Sequence, residues 1–213
     1  MSTSVKPRLR GVSHEIGFFV ALVAGACLVA TAASALASGI TAIYAITLAL
    51  MLGVSASYHR GTWAALDEQR WKRADHATIF VFVAGTYTPI CVLGIGGAPG
   101  RTILTIVCVG AALGALQAVL WPRAPRVVAT SLYIALGWVV VAFWPDVRGA
   151  LGAPLLRLLI GGGILYTTGA IVYALRRPDP LPRWFGYHEI FHVFVIAACV
   201  CHFLVILHLA HTA

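Results

Sequence analysis

Charge is scarce in this chain. Of its 213 residues, 10% are Asp, Glu, Lys or Arg and 60% are hydrophobic, too little polar surface to coat a soluble domain of that size. From Ile16 through Tyr58 there is no charged residue at all, and a run that long suffices for two bilayer crossings of about 20 residues each. The five cysteines, Cys27, Cys91, Cys108, Cys199 and Cys201, are odd in number, lack CxxC spacing and all lie in apolar stretches. That excludes a disulfide framework and a thiolate zinc site. No internal repeat and no low-complexity linker interrupts the sequence.

What fills the chain instead is apolar runs, with expected spans at roughly 16–37, 40–58, 77–95, 102–121, 127–144, 158–175 and 190–209. The first break is expected near Ala37-Ser38-Gly39. The connections are short, so the expectation is one all-α integral membrane domain over residues 1–213, a seven-transmembrane helix bundle. Ala35-Leu36-Ala37 resembles a signal cleavage site, but the apolar run before it is longer than a signal core and the stretch after it is apolar too.

The formal charge of +8 is scattered over short loops, with no basic surface and interleaved aromatics to track a phosphate backbone, so no nucleic-acid partner is expected. It reports orientation instead. A cytoplasmic N-terminus leaves only Arg101, Arg148 and Arg157 of the 15 Lys and Arg on the outer side, in keeping with the positive-inside rule. Seven spans then put the C-terminus outside.

Orientation brings separated polar residues to one membrane face. The second span ends there with Ser55 and His59, the third begins with Asp75 and His76, and the seventh begins with His188 and His192. Histidines four apart share a helix face, the spacing at which two imidazoles can hold one metal. His59, His188 and His192 are therefore assigned as ligands of a Zn2+ ion, three protein ligands with an open position describing a catalytic zinc site. Asp75 is assigned to accept a proton from, or orient, the attacking water. Ser55, one turn from His59, is assigned to donate to a substrate carbonyl. Ionisable groups near hydrocarbon are costly and usually face a partner, so their convergence outweighs the reading of each as an interfacial residue. His14, His208 and His211 are expected in solvent or headgroups, and His202, deep in the last span, in packing or hydrogen bonding.

The same residues carry a family likeness. Pro7-Arg8-Leu9-Arg10-Gly11, the Ser55-to-His59 SxxxH, DHATIFVFVAGTYTPI from Asp75 and HEIFHVF from His188 resemble the hemolysin III family, the bacterial branch of the progestin and adipoQ receptor (PAQR) group within the CREST superfamily. The resemblance implies a seven-helix bundle in the bacterial plasma membrane, zinc near the cytoplasmic surface on His59, His188 and His192, and hydrolysis of a lipid amide in the manner of ceramidase-like relatives. It also implies a role in membrane lipid homeostasis, with membrane lipids as substrate or ligand.

Rival readings remain. His188-Glu189-Ile190-Phe191-His192 fits the HExxH of zinc proteases, which would make Glu189 the general base with Asp179 as a third ligand. Alternatively Glu189 favours the positive start of the last helix or pairs with an arginine. A lipid-sensing receptor with structural zinc is the non-enzymatic alternative. A pore-forming cytolysin is disfavoured by spans too apolar to line a water-filled channel.

Overall fold

The computed structural model describes residues 6–213, and they are helical almost throughout. Seven α-helices run in order: α1 (Val12–Ala30), α2 (Ala35–Arg60), α3 (Ala65–Pro89), α4 (Gly97–Leu120), α5 (Arg126–Gly137), α6 (Trp144–Leu175) and α7 (Tyr187–Thr212). Six helical segments among the described residues are long and apolar enough to cross a membrane. Five are α1, α2, α3 with its extension, α4 and α7, and the sixth is the whole 50-residue stretch Arg126–Leu175. The expected fifth and sixth spans fall within that stretch.

Its breaks have local causes. The α5 helix stops at Gly137, where the Tyr87 hydroxyl donates to the Gly137 carbonyl at 2.7 Å and accepts from Val140 N at 3.4 Å. A side chain inserted into the helical ladder in this way opens it, and the chain continues as a 3-10 turn over Val139–Phe143. Within α6, Gly152 takes φ 67 and ψ 169, a left-handed φ that residues with a Cβ rarely adopt. Neither feature shows as a change of hydropathy.

Two other boundaries differ from the expected ones. The turn between α1 and α2 lies at residues 31–34, ahead of Ala37-Ser38-Gly39, because the Ser34 hydroxyl caps α2 by accepting from Ala37 N at 3.1 Å. Ser38 and Gly39 are absorbed into the helix. The α3 helix begins at Ala65, well before its apolar run, with Asp67 and Glu68 in its first turn, where carboxylates suit the positive end of the helix dipole. Beyond Pro89 it widens into a π-helical turn, Ile90–Ile95.

Neighbours in sequence pack as antiparallel pairs, α1 on α2, α2 on α3, α3 on α4 and α6 on α7, while α7 also touches α1, α2 and α3. That places α7 inside the bundle, and eleven of its residues are buried, His188, His192 and His202 among them. Outward faces carry Phe19, Val23, Ile46, Leu113 and Leu120 in the open, as suits helices whose outer solvent is lipid.

Candidate metal centre

The α7 N-terminus sets the position of two histidines. Glu189 reaches back to accept from Gly186 N at 2.8 Å, and Asp179 Oδ1 accepts from Tyr187 N at 3.0 Å; together they satisfy two of the donors a helix start leaves unpaired. One and two turns in, His188 and His192 project toward the last turn of α2, which carries His59. All three imidazoles are buried, and one ligand atom from each lies within 4.8 Å of the others. His188 Nε2 and His59 Nε2 are 3.1 Å apart. Nitrogens bound at about 2.0–2.1 Å to one tetrahedral ion stand roughly 3.3–3.4 Å from each other, so this pair is spaced as co-ligands are. The donor set of buried imidazoles fits a borderline-soft divalent ion such as zinc.

Asp75 on α3 and Ser55 on α2 are buried beside the cluster. The Asp75 carboxylate lies 3.8 Å from His59 Nε2, too far for a direct hydrogen bond and near enough to act on a molecule held between them. All five assigned residues line one cavity of about 960 Å3. It runs from a rim that includes Lys6, Arg10, Lys72, Arg126 and Arg183 to Tyr166, Thr167 and His202, and its volume matches that of pockets for sizeable organic ligands.

His14 departs from expectation. It is buried rather than in solvent, and its ring stacks on His192 with centroids 3.7 Å apart and planes within 6°. Neither of its ring nitrogens has a hydrogen-bond partner among the described residues, and His192 Nδ1 lacks one as well. Burial of unpaired imidazole nitrogens is costly, and the contact that joins His14 to the centre is its stack on His192. Its signal lay in Pro7-Arg8-Leu9-Arg10-Gly11 just before it. Gly11 turns the chain at φ 81, and a Cβ there would stand 2.7 Å from His59 Cβ, so only glycine lets this segment cross the cluster so closely.

That segment straps the mouth of the cavity. Arg8 N and Leu9 N donate to the Arg183 and Trp184 carbonyls at 3.0 and 3.2 Å, the Arg8 guanidinium sits 4.2 Å over the Trp184 ring, and Lys6 Nζ donates to Gly61 O at 3.3 Å. Arg10 Nε pairs with Glu189, which is itself buried. Glu189 thus serves a cap and an ion pair. Asp179 is exposed and stands outside the histidine group, contrary to the protease assignment. Among the other histidines, His208 and His211 are exposed as expected.

Comparison with known proteins identifies the family. The profile of the family described as Haemolysin-III related matches residues 2–203. Hemolysin-3 of Bacillus cereus is 28% identical over 211 residues, covering 97% of this chain and 93% of that protein. The Hemolysin-3 homolog of Bacillus subtilis (strain 168) is 31% identical over 133 residues, 62% of this chain and 60% of that one. The adiponectin receptor protein of Drosophila melanogaster is 27% identical over 175 residues, 71% of this chain and 38% of its own length. With a match over nearly its whole length, this chain belongs to the hemolysin III family of the PAQR group.

Proposed function

We propose that the protein is a zinc-dependent hydrolase of lipid amide bonds in a bacterial plasma membrane, crossing it seven times with the N-terminus in the cytoplasm and the C-terminus outside. In this reading α5 with its 3-10 extension forms the fifth crossing, about 28 Å from 12 and 5 residues, against a hydrocarbon core of about 30 Å. One observation carries the chemical part: three buried imidazoles and a buried carboxylate share the wall of a cavity large enough for a lipid chain.

Zinc held by His59, His188 and His192 would polarise the amide carbonyl and make water acidic enough to attack near neutral pH. The chain's own groups do the rest. Asp75 orients the water and takes its proton; Ser55 donates to the carbonyl oxygen as negative charge develops there. Water's hydroxyl joins the acyl carbon, the carbon–nitrogen bond breaks, and the amine leaves carrying the proton, so a carboxylic acid and an amine result. Strap and rim guanidiniums and ammoniums favour an amphiphile whose head stays at the cytoplasmic surface while its chain enters the bundle.

The protease reading has less support, because Glu189 is engaged by Arg10 and Gly186 N and is not free to serve as base. Purified protein incubated with N-acyl lipids, ceramide among them, should release fatty acid, lose that activity to a chelator and regain it with zinc. Absence of turnover across amide and ester lipids, with metal bound, would leave the non-enzymatic reading, a lipid-sensing regulator in which the metal ties α2 to α7.

A further inference from the structure

Ten residues beyond His192, α7 presents His202 to the far end of the same cavity. At 1.5 Å per residue it lies about 15 Å deeper, roughly the hydrocarbon depth of one leaflet. His202 Nε2 is 3.2 Å from the Leu159 carbonyl, to which it donates, and so Nδ1 carries a lone pair. Nδ1 has no partner among the described residues. Gly162 makes room for this ring, since any side chain there would overlap the imidazole.

The surrounding wall is polar as well. Tyr166 hydroxyl and Cys199 Sγ pair at 3.2 Å, and Thr167 Oγ1 accepts from Trp138 Nε1 at 2.9 Å while donating to Gly163 O at 2.8 Å. The Tyr166 and His202 rings are 5.5 Å apart, and Tyr166, Thr167 and His202 all face the cavity. A plain hydrocarbon chain would need none of these groups. Polar side chains at hydrocarbon depth are costly and usually meet a partner.

We infer that the deep end of the cavity is a second subsite, accepting a hydroxyl carried on the distal half of a lipid acyl chain, with His202 as the hydrogen-bond acceptor and Thr167 on the same cavity wall. His202 lines the cavity with its Nε2 held by the Leu159 carbonyl, which leaves Nδ1 as the ring atom free to accept. The inference rests on the cavity being an acyl-chain site, as proposed above, and adds the class of chain that fits it best.

Ricinoleic and oleic acid share length and unsaturation and differ by one mid-chain hydroxyl. Equilibrium binding of each to the purified, zinc-loaded full chain in detergent tests the inference. Ricinoleic acid should bind about tenfold more tightly, the scale of one hydrogen bond that relieves an unpaired buried group. His202→Phe should bring the two affinities within about twofold of each other. Thr167→Val, which keeps the side chain's shape, should narrow the ratio in the same direction and decides the matter if His202→Phe does not fold. Equal binding of the two acids by the wild type, or an undiminished ratio in the folded variants, would overturn the subsite while leaving the acyl-chain reading intact. If neither acid binds, the acyl-chain reading falls and the subsite with it.

Discussion

Replacing Glu189 with glutamine separates two chemistries that share one pentapeptide. In the wild type this carboxylate is 2% exposed, pairs with Arg10 Nε and accepts from Gly186 N at 2.8 Å. Glutamine keeps a carbonyl oxygen that can still accept from one of these donors, but removes the charge. A hydrogen bond to a charged group contributes about 1.5–3 kcal/mol against about 1 for a neutral one, and Arg10 is partly exposed, its side chain at 19%, so solvent compensates it in part. The expected loss is about 1–2 kcal/mol, a fall in melting temperature of roughly 2–8 °C for a chain of this length. Hydrolysis should stay within a few fold of wild type, measured as fatty acid released at a temperature where both proteins are folded and carry equal zinc. Were Glu189 the general base, its loss would cost about 10²–10⁴-fold. A folded, zinc-loaded Glu189→Gln that is essentially inactive would refute the assignment of the proton to Asp75.

Asp75→Asn should keep its metal and lose about 10²–10⁴ in rate, read by elemental analysis beside the hydrolysis assay. His14→Ala, which removes the ring stacked on His192, should weaken zinc binding, and His14→Phe, which keeps the stack, should recover part of that affinity in a chelator competition. Tyr87→Phe deletes the hydroxyl that bridges Gly137 and Val140 and should destabilise the protein by about 1–3 kcal/mol, seen as faster amide exchange around residues 137–143.

Much of the arrangement was legible because membranes simplify the code. The uncharged run Ile16–Tyr58 admits little besides two apolar helices, and the four-residue spacing of His188 and His192 survives folding because a helix preserves it. Charge asymmetry led Ser55, His59 and Asp75 to the same end as those histidines, and they do share one cavity wall. What hydropathy misses is set by side-chain contacts at long separation. The α5 break depends on Tyr87, 50 residues away from Gly137, and the turn before α2 on a serine cap. His14 resembled a headgroup residue because the ring it stacks on is His192 of α7, and the one nearby sign, the glycine that lets residues 7–11 cross close to His59, shows its purpose only in the folded chain.

Metal content tests the central claim most directly. Purified wild-type protein, analysed for transition metals per chain, should hold close to one zinc, while His59→Ala and His192→Ala, each still folded, should hold almost none and Asp75→Asn should match wild type. Full zinc occupancy in the folded histidine variants, or none in the wild type after growth and purification with zinc, would contradict the account.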